Sequence, residues 1–260
     1  EMSASLVGSE MCIRDSPMAI NFISLALLQG VNYLLPLLSF PFLFRVLGVE
    51  RWGLVTFGYS LMQYFVMFTD FGFNLSATKY ISEHRNDLQK INSYLNSAMI
   101  GRFILCGISL AILLALISYF DKFSTESIFY LLYFGIILGN VMFPMWFFQG
   151  MENMKYITVF NIVAKSLSFI PFFIFIRKPE DYIYVPIFYS IGFVLAGIVS
   201  LFIVYFKMGM KWYFTSISQI SSSLKDSSAY FLARASTSLF TTSNSFLLGL
   251  VCGNTMVGYY

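Results

Sequence analysis

Long apolar runs alternate with short polar segments along almost the whole chain. About seven of them have the roughly twenty residues that a helix needs to cross the hydrocarbon core of a bilayer, about 30 Å thick. They are numbered here as predicted helices 1 to 7 and lie at residues 20–44, 54–80, 97–119, 127–148, 156–176, 182–206 and 229–251. The pattern predicts an all-α polytopic membrane protein.

The composition supports this class and removes several others. Hydrophobic residues make up 58% of the chain and charged residues 11%, and the mean hydropathy is +0.73, whereas a soluble domain carries about a quarter charged residues. A net charge of +3 without a basic run does not indicate a nucleic-acid partner. Cys12, Cys106, Cys252 and the single His84 have no metal-binding spacing, and no catalytic motif occurs. We therefore expect that the protein binds no metal or cofactor and is not an enzyme.

Basic residues flank the predicted helices unevenly. With a cytoplasmic N-terminus, nine basic residues lie toward the cytoplasmic ends of the helices, or eight if Arg14 is non-native, and five lie toward the opposite ends. The first set is Arg14, Lys79, Arg85, Lys90, Arg102, Lys155, Lys207, Lys211 and Lys225, and the second is Arg45, Arg51, Lys122, Arg177 and Lys178. Because cytoplasmic flanks carry an excess of Lys and Arg, the pattern predicts a cytoplasmic N-terminus.

The polar segment before predicted helix 7 has a helical period. Tyr213, Ile217, Ile220 and Leu224 are spaced at i, i+4, i+7 and i+11, with serines and lysines between them. This spacing predicts an amphipathic helix lying in the cytoplasmic interface over residues 207–228. A solvated linker is the alternative.

A weak repeat links the first loop to the C-terminal end of the chain. Gly48 and Gly253 are separated by 205 residues, and so are Gly53 and Gly258. Six predicted helices fit within that offset, so the pattern suggests two parallel six-helix repeats. Predicted helix 7 would then open the second repeat.

These features divide the chain into four parts. Residues 1–17 read as a non-native leader, because the chain does not begin with Met and Met18 is the expected start. Residues 18–206 form the N-terminal six-helix transmembrane lobe, and residues 207–228 the amphipathic cytoplasmic linker. Residues 229–260 begin a truncated second lobe, so we expect the chain to be a fragment of a longer protein.

Ionisable residues inside the apolar runs are the candidate functional groups. Asp70 lies about ten residues from the cytoplasmic end of its helix, so about 15 Å deep, where a carboxylate costs on the order of 3 kcal/mol. Asn74 follows one turn later on the same face. Lys165 is central in predicted helix 5, and Arg234 begins a polar stripe in predicted helix 7 with Ser238, Thr241 or Thr242, and Ser245.

Two interpretations of these charges remain open. In the structural one, Asp70 and Lys165 form a buried ion pair between predicted helices 2 and 5. In the functional one, Arg45, Lys165 and Arg234 attract an anionic headgroup, while Asp70 balances charge or binds a coupling proton or cation. Arg102 is either a cavity cation or an anchor that snorkels to the inner surface.

Four segments resemble those of Wzx-type O-antigen flippases, in the same order. They are Leu34–Gly53 at the first helix and loop, Asp70–Thr78 in the second helix, Pro144–Glu152 at the end of the fourth, and Asn244–Gly249 with Gly258–Tyr260 around the seventh. The resemblance extends from about residue 18 to residue 260. These signatures are loose individually, and their order makes the match specific.

The resemblance implies a polysaccharide biosynthesis protein of the multidrug/oligosaccharidyl-lipid/polysaccharide superfamily, with two six-helix lobes. Such proteins move undecaprenyl-pyrophosphate-linked oligosaccharide across the bacterial cytoplasmic (inner) membrane by alternating access. The implied partners are the lipid-linked oligosaccharide, membrane lipid and a coupling proton or cation. A cationic cavity with Arg45, Asp70, Asn74, Lys165 and Arg234 fits a pyrophosphate headgroup.

Other functions remain as alternatives. A multidrug exporter or a lipid II flippase of the same superfamily would share these features. A membrane-embedded polymerase or acyltransferase would need a large extracytoplasmic loop or a catalytic cluster, and the predicted outer loops are short. A purely structural membrane subunit leaves Asp70 and Lys165 unexplained.

Overall fold

The computed structural model describes residues 17–260, except for the side chains of residues 17–25, 27, 28, 31 and 238–243. The expected leader lies outside the described residues apart from Pro17. The described part contains helices and no strand, so the predicted all-α class is confirmed. Five of its helical segments are long and apolar enough to cross a membrane.

The helices are numbered in chain order. They are α1 Pro17–Asp70, α2 Phe73–Glu83, α3 Leu88–Tyr119, α4 Asp121–Ser124, α5 Ser127–Met142, α6 Met145–Gly150, α7 Met154–Phe175, α8 Tyr184–Phe202, α9 Ile217–Cys252 and α10 Asn254–Tyr259. A 3₁₀ turn at Pro179–Ile183 precedes α8, and a π-helical turn at Ile203–Lys207 follows it. Predicted helix 1 lies within α1, predicted helix 2 covers the last part of α1 and most of α2, and predicted helix 7 lies within α9.

Helix α1 contains two spans joined at Gly48. The backbone there has φ 74° and ψ 169°, a conformation that glycine alone adopts readily. The first half runs alongside α7, since the rings of Phe42 and Phe173 lie 4.7 Å apart. The second half runs back alongside α5, where Gly58 approaches the ring of Phe129. Gly48 therefore makes the turn between the first two membrane spans.

Predicted helices 2 and 4 are each broken, which corrects the expectation of continuous spans. After Asp70 the backbone takes positive φ at Phe71 (44°) and Gly72 (81°) before α2 begins. A Cβ at Gly72 would lie 2.6 Å from the Ser227 carbonyl oxygen, so the break lets α9 approach. The second break follows α5 at Pro144, which has no N–H to continue the helical ladder.

The predicted interfacial helix is helical only from Ile217 onward, and from there it continues into predicted helix 7 as one helix, α9. Ser216 caps its N-terminus by accepting a hydrogen bond from the Gln219 N–H. Two serines on its first turns are buried: Ser223 hydrogen-bonds with Ser97 at 2.9 Å and Ser227 with Ser76 at 2.6 Å. This segment therefore packs on α2 and α3 through pairs of buried serines.

Glycines allow α5 and α8 to pack closely. A Cβ on Gly139 would lie 2.6 Å from the Phe193 carbonyl oxygen, and one on Gly197 would lie 2.8 Å from that of Gly139. Small residues at helix contacts are a common device in membrane proteins, because they let two backbones approach.

We expect Gly139→Val to destabilise this helix pair. The added side chain would meet α8 backbone, which cannot move aside, and overpacking of this kind costs about 1–3 kcal/mol. The melting temperature of the detergent-purified protein, followed by fluorescence-detected gel filtration, should fall. Gly107→Val on α3 is the control, because no atom outside its own helix lies within 4 Å of a Cβ there. Equal melting temperatures for the two variants would contradict the packing argument.

The bundle has two ends, named after residues that lie there. At the Gly48 end, Arg51 pairs with Glu126 at 3.0 Å, and the Tyr182 hydroxyl donates to the same carboxylate at 2.7 Å. At the His84 end, Arg85 pairs with Glu152 at 2.6 Å. These contacts join residues that are far apart in the sequence at each end of the bundle.

The glycines of the predicted repeat meet at the Gly48 end. Gly253 has φ 85° and ψ 174°, the same conformation as Gly48. A Cβ on Gly53 would overlap the Asn254 carbonyl oxygen, and one on Gly258 would overlap the Val49 carbonyl oxygen. Val49 and Asn254 are themselves related by the offset of 205 residues. The contact is therefore reciprocal, as in a two-fold symmetric interface.

Candidate functional site

A polar cavity of about 280 Å³ lies inside the bundle, where the two helix breaks come together. We call it the central cavity. Its charged and amide side chains are Gln63, Asp70, Asn74, Arg102, Asn140, Asn161 and Arg234. The breaks position this lining: Asp70 ends α1, and Arg102 reaches the carbonyls that end α5. Irregular backbone at membrane depth is typical of cavities in transport proteins.

Asp70 is a buried carboxylate beside two guanidinium groups. It is 3% exposed, and its Oδ2 lies 4.0 Å from Nη1 of Arg234. Arg102 also acts on it electrostatically. Within the described part, neither carboxylate oxygen accepts a hydrogen bond of good geometry. An acceptor group with free lone pairs thus lies in the cavity wall, ready for a proton, a cation or a donor on a ligand.

Arg102 is fully buried and holds the end of α5. It is 1% exposed, and its Nη2 donates to the Asn140 carbonyl at 2.9 Å and its Nη1 to the Phe143 carbonyl at 3.4 Å. The last carbonyls of a helix lack intrahelical donors and carry the negative end of the helix dipole, so a cation is favoured there. Of the two roles considered for Arg102, the structure supports the cavity cation, because the side chain does not reach the surface.

Arg234 brings a second cation to the cavity from α9. Its side chain is 49% exposed, so it faces open space across from Asp70. Asn74, four residues after Asp70 and beyond the helix break, lines the same cavity. Three of the five predicted site residues, Asp70, Asn74 and Arg234, are thus brought together. The side chains of Ser238, Thr241 and Thr242, from the same predicted stripe, lie outside the described residues.

Lys165 and Arg45 lie away from this group. Lys165 donates a hydrogen bond to Asn32 Oδ1, which joins α7 to the first half of α1. Among ion pairs between described residues, the partner of Asp70 is Arg234, so the alternative of an Asp70–Lys165 pair is not seen. Arg45 is exposed near the Gly48 end. Neither Lys165 nor Arg45 lines the central cavity; Asn161, one turn before Lys165, does.

The cavity offers two cations, one carboxylate and four side-chain amides. The cations exceed the carboxylate by one charge, which favours an anionic ligand in a low-dielectric setting. Asparagine and glutamine both donate and accept, so they suit a ligand rich in hydroxyl or phosphate oxygens. In the described part, no three His, Cys, Asp or Glu residues are close enough to hold a metal ion.

Comparisons with known proteins identify the family of this chain. Residues 18–260 match the family described as "Polysaccharide biosynthesis protein". The chain is 33% identical over 241 residues to the "Putative O-antigen transporter" of Escherichia coli (strain K12), covering 92% of this chain and 58% of that protein. It is 28% identical over 241 residues to the protein of the same description from Shigella dysenteriae, covering 92% and 60%.

The chain thus spans about three fifths of the length of these curated relatives. No solved structure matches it significantly. The family match extends over nearly all of the described residues, including both helix breaks and the polar residues that line the central cavity. This chain therefore belongs to the polysaccharide biosynthesis protein family of multi-pass membrane proteins.

Proposed function

We propose that the protein is a flippase that moves undecaprenyl-pyrophosphate-linked oligosaccharide, an O-antigen or similar repeat unit, across the bacterial inner membrane. The observation that carries this proposal is the central cavity, in which Arg102 and Arg234 outnumber Asp70. The two relatives described as O-antigen transporters support the choice of substrate. A multidrug exporter or a lipid II flippase of the same superfamily would use a cavity of this kind as well.

The charge balance of the cavity suits the headgroup of such a substrate. A pyrophosphate is strongly anionic, and its transfer into hydrocarbon without compensation is prohibitive. At an effective dielectric constant of about 20, two opposite unit charges about 4 Å apart attract by about 4 kcal/mol. Two arginines therefore offset much of the desolvation of the phosphates, and Asp70 keeps the empty cavity from carrying two unbalanced cations.

Alternating access is the mechanism we propose, and contacts at the Gly48 end support it. With the N-terminus in the cytoplasm, this end faces the periplasm. There the two glycine turns pack against each other, Lys122 donates to the Gly249 carbonyl, and the rings of Phe57 and Phe246 stack at 5.7 Å. The path from the central cavity to the periplasm is closed by these contacts, so release of substrate requires α9 and α10 to separate from the first six spans.

Asp70 is the group that we propose couples transport to an ion gradient. A carboxylate whose oxygens accept no hydrogen bond of good geometry can take up a proton or cation, and occupancy would weaken its attraction to Arg234. Release of Arg234 would free a cation for the phosphates. Uptake and release at Asp70 would thus alternate with substrate binding.

We expect Asp70→Asn to reduce surface O-antigen by at least about tenfold, because removal of a functional charge inside a membrane is rarely tolerated. The full-length gene would be placed in a strain that lacks its own O-unit flippase, and surface O-antigen would be measured by gel and antibody. Asp87→Asn is the matched control. It makes the same substitution in an exposed loop, at the N-cap of α3, where asparagine caps as well as aspartate.

Normal O-antigen with Asp70→Asn, at a normal level of membrane protein, would count against the cavity mechanism. Failure of the wild type to restore O-antigen, despite good expression, would instead direct attention to the alternatives. Drug-efflux measurements would then test the multidrug exporter.

A further inference from the structure

A second cavity, of about 370 Å³, lies between the central cavity and the Gly48 end. We call it the aromatic cleft. Six of the residues that line it carry the argument: Phe40, Trp52, Thr56, Tyr59, Tyr189 and Tyr260. None of the charged residues of the central cavity takes part. The cleft thus differs from the central cavity in chemistry, with rings and hydroxyl groups in place of charges.

The two cavities follow each other along one helix. Thr56, Tyr59 and Ser60 on the second half of α1 line the aromatic cleft, and Gln63 on the next turn lines the central cavity. Three residues of helix separate Ser60 from Gln63, a rise of about 4.5 Å. A molecule with a charged part and an uncharged part a few ångströms apart could therefore occupy both sites together.

The rings of the cleft are held in place by other rings. The centroids of Phe40 and Trp52 lie 5.3 Å apart, and those of Tyr59 and Tyr189 lie 5.5 Å apart. Tyr189 also meets Phe169 edge-to-face at 5.3 Å. These distances are typical of favourable aromatic pairs. The rings therefore form a preorganised surface, which reduces the entropy lost when a ligand binds.

The cleft also presents hydroxyl groups. The Thr56 hydroxyl is buried and, within the described part of the chain, has no hydrogen-bond partner. Such a group costs about 1–3 kcal/mol when left unpaired. Tyr59, Tyr189 and Ser245 bring further hydroxyls to the walls. A purely hydrocarbon ligand would leave Thr56 unpaired, whereas a ligand with its own hydroxyl groups would supply the missing partner.

We propose that the aromatic cleft binds the pyranose rings of a carbohydrate. One face of a sugar ring is a patch of C–H groups that packs on aromatic rings, while its hydroxyls exchange hydrogen bonds with side chains such as Thr56. The proposal rests on the proposed function and deepens it: the central cavity holds the phosphates and the aromatic cleft holds the sugar that leads toward the periplasm. The cleft then contributes to the selection of the glycan.

The test measures binding of two separate parts of the substrate to the full-length protein in nanodiscs, by calorimetry. One probe is the free oligosaccharide repeat unit released by mild acid from the host's own surface polysaccharide, and the other is undecaprenyl phosphate without sugar. Thr56→Val removes only the unpaired hydroxyl and should leave the melting temperature unchanged or raised. Trp52→Ala removes a ring, and Trp212→Ala, outside both cavities, is the matched control.

We expect Trp52→Ala to weaken oligosaccharide binding by about tenfold or more and Thr56→Val by about threefold or more, in line with the cost of losing a buried ring or a hydrogen bond to a ligand. Binding of undecaprenyl phosphate should not change in either variant. Unchanged oligosaccharide binding in both variants would overturn the proposal that the aromatic cleft binds carbohydrate, and would leave the flippase proposal unaffected. Loss of undecaprenyl phosphate binding instead would assign the cleft to the lipid chain. If the wild type binds neither probe, both proposals are rejected.

Discussion

Replacement of Arg102 with leucine should abolish glycan export and lower the amount of folded protein in the membrane. The substitution leaves Asp70 buried with one guanidinium fewer and removes both donors from the carbonyls that end α5. Loss of a hydrogen bond from a charged group typically costs about 1.5–3 kcal/mol, and Asp70 loses part of its charge compensation as well. The expected readouts are a lower melting temperature in detergent and no surface O-antigen in the complementation strain.

A double variant separates the effect of charge balance on stability and export from the effect of the hydrogen bonds. Arg102→Leu combined with Asp70→Asn removes both charges, so part of the lost stability should return, while export should not. Arg177→Leu, in the exposed segment after α7, is the matched control and should behave as the wild type in both measurements. Wild-type stability and export for Arg102→Leu alone would contradict the role assigned to this residue.

Replacement of Gly53 or Gly258 with valine should open the periplasmic path and impair export. A side chain at either position overlaps backbone of the opposing turn, so the closed contact cannot form unchanged. Overpacking costs about 1–3 kcal/mol, and a bias of that size shifts a two-state equilibrium by about 5- to 150-fold. The open state should therefore gain population at the expense of the closed one.

The measurement is access to the central cavity from outside intact cells. In a background without native cysteines, Gln63→Cys places a thiol in the cavity wall, and a membrane-impermeant maleimide reports its exposure. We expect faster labelling in the Gly53→Val and Gly258→Val proteins than in the parent, and no change with Gly107→Val. Equal labelling rates in all four proteins would contradict closure at the Gly48 end.

Much of the fold was predictable because the length of an apolar run, which predicts a membrane-spanning helix, depends on local sequence alone. The apolar runs became largely helical, and Asp70 and Asn74, predicted to share one face, line one cavity although the helix breaks between them. The position of Arg234 in the cavity wall was predictable for a related reason, since a charge in a polar stripe of a membrane helix rarely faces lipid. The glycine offset also had a structural counterpart, because Gly48 and Gly253 need the same unusual backbone conformation.

The helix breaks and the burial of Arg102 depend on contacts that the sequence pattern does not contain. Gly72 signals a break only once α9 is known to pass beside it, and Pro144 alone does not distinguish a kink from an interruption. The sequence left Arg102 open as a cavity cation or an inner anchor, because it lies near the predicted end of its span; α3 begins at Leu88, so this position is deep in the helix. Lys165 was grouped with the cavity because it shares a helix face with Asn161, which does line it; its distance from the cavity along α7 cannot be read from spacing.

Translocation by the purified protein tests the central claim most directly. The full-length protein would be reconstituted into liposomes that contain a fluorescent undecaprenyl-pyrophosphate-linked oligosaccharide, and a membrane-impermeant reagent that quenches the label would report which leaflet holds it. We expect the wild type to translocate the substrate and an imposed ion gradient to accelerate this translocation. The Asp70→Asn and Arg102→Leu variants should not translocate it. Folded wild-type protein that leaves the substrate in its original leaflet, with or without a gradient, would contradict the account.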